Sequence, residues 1–437
     1  MLKIDLKKYY DLLENINLIN YTGRVTKVVG LTIESIGPEA NIGELCYIIP
    51  MKGDSLKSEV VGFKNNSVLL MPFGDMNGIG PGCKVISSGN YMRVGVGEQL
   101  LGRVLDGAGY PIDGKGNIEV SEFYNINNEP PNPLLRNRII DPLPMGVKAI
   151  DGFLTVGKGQ RVGIFAGSGV GKSTLIGMIA RNTKADINVI CLIGERGREV
   201  REFIEKDLQE EGLKRSVVVV ATSDKSALVR LKSAFLATAV AEYYRDKGKN
   251  VLLLMDSLTR FSMAQREIGL AIGEPPVSRG YTPSVFAQMP KLLERAGNSD
   301  KGSITGLYTV LVDGDDLSEP VTDTARGILD GHIVLSRALA NKNQYPAIDV
   351  LASISRVMSD VVTKEHKAAA AEIKKVMAIY KDSEDLINIG AYVKGTNPKI
   401  DFAIDKIEDI IALIEQGTHD IFSFKDVVDK LISINSN

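Results

Sequence analysis

Ala166-Gly167-Ser168-Gly169-Val170-Gly171-Lys172-Ser173-Thr174 is the stretch from which the fold can be read. Before it, Arg161-Val-Gly-Ile-Phe165 is a short apolar run of strand type, and after it Leu175–Ala180 has the composition of a helix start. A glycine-rich turn between strand and helix lets several backbone N–H groups point into one concavity, and the helix start adds a positive dipole end. In that setting Lys172 reaches the β- and γ-phosphates of a nucleoside triphosphate, and the Ser173 hydroxyl holds Mg²⁺. Gly167 to Thr174 form the cradle, with Val170 as its apolar member. Ala166 stands where such loops usually begin with glycine; a residue this small still permits the turn.

The bulk composition narrows the surroundings. A chain of 437 residues is too long for one compact core, so two to three domains are expected. Hydrophobic content of 44% and charged content of 24% suit an ordinary globular protein, and a net charge of −2 offers no global basic field for nucleic acid. Cys46, Cys83 and Cys191 are far apart, as are His332, His366 and His419, so buried reduced thiols are expected and a structural zinc site is not. No run approaches the roughly 18 apolar residues that span a bilayer. The N-terminus lacks the apolar core of a secretory signal; residues 1–18 read as an amphipathic helix, with Ile4, Leu6, Tyr9, Leu12, Leu13 and Ile16 roughly on one side.

Along residues 19–96, short β-type runs alternate with Gly, Pro, Asn and Asp: 23–33, Leu45–Ile49, Glu59–Phe63, Ser67–Met71 and Lys84–Ile86. Many short strands at this spacing predict a small closed barrel filled by its own side chains, an assembly module without a ligand pocket. A connector over 97–146 carries the stiff stretch Glu129-Pro-Pro-Asn-Pro133. Over 147–358, apolar strands at Val162–Ala166, Ile187–Ile193, Ser216–Ala221, Val251–Met255, Ile304–Val312 and Gly331–Leu335 alternate with helical stretches such as Val200–Glu210 and Ala227–Lys247. That pattern predicts an α/β P-loop domain whose mainly parallel sheet is covered on both faces. Residues 359–437 read as a helical domain, with amphipathic segments Glu365–Lys381 and Asp401–Gln416.

Four further positions carry chemistry. Asp256 ends the apolar strand Val251-Leu-Leu-Leu-Met255, which sets its carboxylate beside the phosphate loop to hold Mg²⁺ through water. Glu195, in Cys191-Leu-Ile-Gly-Glu-Arg-Gly-Arg-Glu199, lies at the same carboxyl edge of the sheet and is the natural group to polarise an attacking water. Glu199 reads as an ion-pair partner of the nearby arginines. Tyr345 precedes a proline and could offer its ring to an adenine face; Arg356 follows a short apolar run and could act as an arginine finger. From the residues alone neither role is distinguished from that of a surface tyrosine or a solvated charge.

Taken together, Gly163–Ser173, Leu192–Val200, Asp256-Ser-Leu-Thr-Arg-Phe261 and Tyr345-Pro-Ala-Ile-Asp-Val350 resemble the catalytic subunits of rotary ATPases, above all their export branch, the ATPases of type III protein secretion. Ala264-Gln-Arg-Glu-Ile-Gly-Leu-Ala271, Gly273-Glu-Pro-Pro276, Gly280–Phe286, Leu292–Gly297 and Ile328–Arg337 resemble the flagellar members of that branch, and the resemblance runs from about Gly23 into the tail, including Asp385–Tyr392. The resemblance implies a RecA-like core between barrel and helical domain, and a homohexamer hydrolysing ATP with Mg²⁺ at sites between subunits. It implies Lys172 and Ser173 on phosphate and magnesium, Glu195 on the water, Asp256 as the second-strand acid, Tyr345 on adenine and Arg356 in the neighbour's site. Alanine at 166 is a common variant there. The implied role is energising flagellar export. The implied partners are export-apparatus proteins, a stator-like regulator, chaperones and cargo, at a cytoplasmic location docked peripherally on the membrane at the flagellar base.

Other readings differ in testable features. A virulence-type export ATPase shares every motif, and a proton-coupled synthase subunit would need membrane partners. A hexameric nucleic-acid motor would want a basic channel or stacking aromatics, and aromatic content here is only 6%. A non-hydrolysing ring subunit would be expected to lack the Glu195 carboxylate.

Overall fold

The computed structural model describes residues 22–312, 316 and 318–436; the amphipathic helix expected over 1–18 lies outside the described residues. Two compact units are present, one comprising the barrel together with Ile268–Glu274, the other running from Arg93 onward apart from that segment.

In the first unit, β1 (Thr22–Val29), β2 (Thr32–Ile36), β3 (Glu44–Ile49), β4 (Leu56–Lys64), β5 (Ser67–Pro72) and β6 (Lys84–Tyr91) close into a barrel in the order β1-β2-β5-β4-β3-β6. Its neighbouring strands are antiparallel. Alternation puts Val25, Ile33, Cys46, Ile48, Val60, Leu70 and Val85 inside, so side chains fill the interior. The run expected over 23–33 is a hairpin: Val29 pairs with Thr32 across Gly30, whose φ of 56° supplies the left-handed turn.

In the second unit, β7 (Arg93–Val96) and β9 (Glu122–Asn125) form a two-stranded ribbon. The main sheet contains β8 (Arg103–Asp106), β10 (Arg161–Ala166), β11 (Ile187–Glu195), β12 (Ser216–Thr222), β13 (Asn250–Asp256), β15 (Ser303–Leu311), β16 (Gly331–Leu335) and β17 (Ile348–Ser355), with the short β14 (Gly297–Asn298) against β15. Its order is β17-β16-β10-β15-β13-β11-β12-β8, parallel except for β17. Strands buried on both faces read as apolar runs, and β11 through Ile193 and β12 through Ala221 are fully buried.

Three features differ from the sequence expectation. The stretch expected as a connector enters the sheet, where β8 pairs with β12 through Leu105 opposite Val219. A four-residue strand with two apolar residues has too weak a period to be recognised without its neighbour. The helix expected over Val200–Glu210 is broken by a wider π-type turn, Phe203–Leu208. Finally, the helices Lys364–Asn388, Pro398–Ile414 and Phe424–Ser436 share a core with the sheet: Ala369, Ile373, Ile410, Leu413 and Leu431 join Ile150, Phe153 and Ile164. The His366 imidazole bonds the Gly152 carbonyl at 2.7 Å, adding a polar tie to that seam. All three cysteines are buried free thiols, and burial pushes Cys46 and Cys191 up to about 12. Among the described residues, no helix is long and apolar enough to cross a membrane.

Candidate functional site

β10 ends at Ala166, the chain turns through Gly169 at φ 78° and Gly171 at φ 89°, and the helix Lys172–Asn182 begins. Only glycine takes this pair of left-handed positions without strain. Leu175 N–H closes the first helical turn on the Gly171 carbonyl at 3.0 Å. The N–H groups of Lys172, Ser173 and Thr174 precede that turn and have no partner within the helix, so they are free to meet an anion.

The parallel register brings two carboxylates to the same edge. Leu192 of β11 stands opposite Asp256 of β13, so Glu195, three residues on, emerges beside it. The Lys172 ammonium is ion-paired with Asp256, and it lies 3.8 Å from a Glu195 oxygen. Asp256 also accepts the Thr309 hydroxyl at 2.7 Å, from the end of β15, the strand between β13 and β10. Burial, then the like charge of Asp256, pushes the Glu195 carboxyl upward; Lys172 offsets part of that rise. Glu199 pairs with Arg196 at 3.5 Å and also reaches Glu195, where a hydrogen bond and its like charge add to the rise. Two carboxylates, a hydroxyl and an ammonium at the head of a helix form a hard-oxygen donor set with one cation. Such a set suits magnesium and phosphate rather than a soft metal.

Tyr345 and Arg356 part company. A Cβ built on Gly171 would lie 3.5 Å from the Tyr345 ring, so that ring flanks the phosphate loop while remaining 42% exposed. Arg356 is at the other edge of the sheet. β17 runs antiparallel to β16, with Ile348 opposite Leu335 but Ser355 opposite Gly331. Ala166, where the loop begins, is level with Leu335. Arg356 follows Ser355 and is level with Asp330, so five residues at ~3.3 Å each put it about 16 Å behind the loop along the strands. It is exposed there, with its guanidinium 3.3 Å from the Arg326 carbonyl.

Two residues at the site escape sequence reasoning. Thr309 is a hydroxyl inside an apolar strand, a weak signal whose meaning appears only once β15 lies beside β13. Gln416 is buried at the end of the helix Pro398–Ile414. Its N–H bonds the Tyr345 carbonyl at 3.0 Å, and its side chain bonds Lys148 N–H at 2.9 Å and the Gly146 carbonyl at 3.0 Å. Nothing local marks it, because its partners are some 70 and 270 residues away in sequence.

The comparisons with known proteins agree over nearly the full length of the chain. Residues 146–355 match the nucleotide-binding domain of the ATP synthase alpha/beta family, 25–89 its beta-barrel domain, and 362–433 the T3SS EscN ATPase C-terminal domain. The chain is 57% identical to a flagellum-specific ATP synthase of Bacillus subtilis, with 95% of each chain covered. It is 51% identical to a type 3 secretion system ATPase of Xanthomonas euvesicatoria, over 95% of this chain and 94% of that one. The assembled ATPase EscN of enteropathogenic E. coli, solved in complex with its central stalk EscO, superposes with a TM-score of 0.88 at 48% identity, covering 94% of this chain and all of that one. A phosphate loop heading a mainly parallel sheet, with a barrel domain before it in sequence and helices after it, and matched at this identity over nearly the full length, makes the chain an ATPase that belongs to the ATP synthase alpha/beta family.

Proposed function

We propose that this ATPase energises flagellar type III protein export as a homohexameric ring whose nucleotide sites are each completed by the neighbouring subunit. The observation that carries the reading is the separation within one chain: Lys172, Glu195 and Asp256 meet at one edge of the sheet, and Arg356 leaves from the opposite edge. An arginine in that position cannot serve its own loop, but it can serve a copy packed against the other edge. A single sequence bearing both halves suits a ring of identical subunits.

In this reading Gly167–Thr174 wrap the phosphates and Lys172 leaves its carboxylates for the β- and γ-oxygens. Ser173 and, through water, Asp256 would hold Mg²⁺, which would supply charge neutralisation to the phosphates. Glu195 accepts a hydrogen bond from the attacking water and polarises it. Tyr345 packs on adenine, and the neighbour's Arg356 stabilises charge on the transferring phosphoryl group, an effect worth roughly 10³-fold or more. The flagellar rather than virulence assignment is supported by the higher identity to the flagellar relative. A stalk partner is supported by the EscN complex with its stalk EscO. Chaperones, cargo and a stator-like regulator at the cytoplasmic face of the membrane complete the proposal.

Two experiments test it. Arg356→Ala and Glu195→Gln subunits, each inactive alone, should recover turnover when mixed, because some interfaces then hold one intact half from each; a mixture that never recovers refutes the shared site. Deleting the gene should abolish flagellar filaments, and cells that keep normal filaments would reassign the chain to another export system.

A further inference from the structure

We propose that Asp330, clamped by Arg161 and Gln160, is the positioning residue for Arg356, and that β10 joins this clamp to the chain's own phosphate loop. The inference rests on the reading of Arg356 as the group supplied to the neighbouring site.

Arg356 is fixed at its root, while its exposed tip donates to the Arg326 carbonyl at 3.3 Å. Its backbone N–H donates to the Asp330 carbonyl at 3.0 Å. The residue before it, Ser355, donates its hydroxyl to the Thr155 carbonyl at 2.8 Å and accepts from the Gln160 amide at 3.1 Å. That same amide donates to the Asp330 carbonyl at 3.1 Å, and Gln160 is fully buried. Asp330 is held in turn by its carboxylate. One oxygen accepts both the backbone N–H and Nε of Arg161 at 3.1 Å, and the other accepts the guanidinium's outer nitrogen at 3.2 Å. Asp330 N–H returns a bond to the Arg161 carbonyl at 2.8 Å. A planar guanidinium gripping a carboxylate through two prongs, with backbone bonds on either side, leaves that segment little freedom.

The guanidinium of Arg356, by contrast, is exposed, beside the Arg326 carbonyl. This corner is cationic: burial, then the charge of Arg326 and more weakly that of Arg356, holds the His332 imidazole below its ordinary range. A fixed root with a solvent-facing positive tip is what a residue needs in order to meet an anion on another chain.

The clamp also has a second end. Arg161 is the first residue of β10 and Ala166 the last, so one six-residue hydrogen-bonded strand joins the Asp330 clamp to the phosphate loop. Strand β10 is paired on both sides, with β15 and β16, and moves with them rather than flexing alone. A shift of the loop on gaining or losing phosphate therefore reaches the root of the arginine given to the next subunit.

The test is subunit complementation with purified full-length variants. Asp330→Asn removes the charge that Arg161 grips while keeping size. Its kcat should fall about 10²-fold, the scale of a small misplacement of a reacting group, while equilibrium binding of a fluorescent ATP analogue stays unchanged. Mixed with Glu195→Gln subunits it should recover turnover, since Asp330→Asn supplies the intact loop side and Glu195→Gln the intact arginine side. Mixed with Arg356→Ala subunits it should not recover, because every interface then lacks a positioned arginine. Arg161→Lys keeps the charge, loses the two-pronged grip and should behave alike. Unchanged kcat, recovery with Arg356→Ala, or no recovery with Glu195→Gln overturns the proposal, as does loss of folding in both variants, which would make the clamp purely structural. The Arg356→Ala with Glu195→Gln mixture is the control: if it fails, the shared-site reading falls; if it succeeds alone, only the clamp does.

Discussion

Replacing Thr309 by valine tests whether the interstrand contact at Asp256 matters to turnover. Valine has nearly the shape of threonine, so the substitution deletes a hydroxyl and leaves the packing of β15 in place. Thr309 and Asp256 are 2% and 5% exposed, and their hydrogen bond is 2.7 Å long. A bond from a buried hydroxyl to a charged carboxylate contributes about 1.5–3 kcal/mol, and water has little access to replace it. If that hydroxyl orients Asp256 for magnesium in the transition state, the loss appears in kcat/KM as a fall of ~10–100-fold, at about 1.36 kcal/mol per factor of ten. Phosphate release measured across ATP and Mg²⁺ concentrations reads it, and the Mg²⁺ requirement should rise. Thr309→Ser should restore most of the activity because it returns the donor. A valine variant that folds normally and stays within about twofold of wild type, well below a tenfold loss, refutes the argument.

Other perturbations address the remaining groups. Lys172→Ala removes the phosphate contact and leaves Asp256 and Glu195 without their shared cation, so turnover should drop to background; unchanged phosphate release would refute the placement. Glu195 must be ionised to polarise water and is raised to about 7 from an ordinary 4.5 in the nucleotide-free site. The pH profile of kcat/KM, which reports the free enzyme, should therefore fall as pH drops through about 7; a limb centred in the ordinary carboxylate range would contradict it. Tyr345→Ala should weaken ATP binding ~5–100-fold, from the roughly 1–3 kcal/mol of base stacking, and Tyr345→Phe should not. Equal affinity of all three proteins by equilibrium binding would take Tyr345 out of the site.

Much of the architecture was legible in local pattern. The barrel strands and the apolar strands of the sheet carry a period, and Ala166–Thr174 carries a turn whose chemistry is local. Asp256 and Glu195 were legible because each ends a buried strand, and parallel strands deliver their carboxyl ends to one edge. What escaped had no period of its own. β8 has two apolar residues, β17 reads Ile-Asp-Val-Leu-Ala-Ser-Ile-Ser with mixed burial, and the turn Phe203–Leu208 departs from a regular helix.

The sequence by itself determined that this chain grips a triphosphate, because backbone curl, helix start, lysine and hydroxyl all lie within nine residues and need no distant partner. Only the tertiary structure decided which groups share a site. Lys172 lies between Asp256 and Glu195, and Thr309 reaches Asp256, because three strands distant in sequence lie side by side in register. Arg356 falls away from its own loop for the converse reason: β17 runs against its neighbour β16, and an antiparallel edge strand delivers its last residue to the opposite side of the sheet.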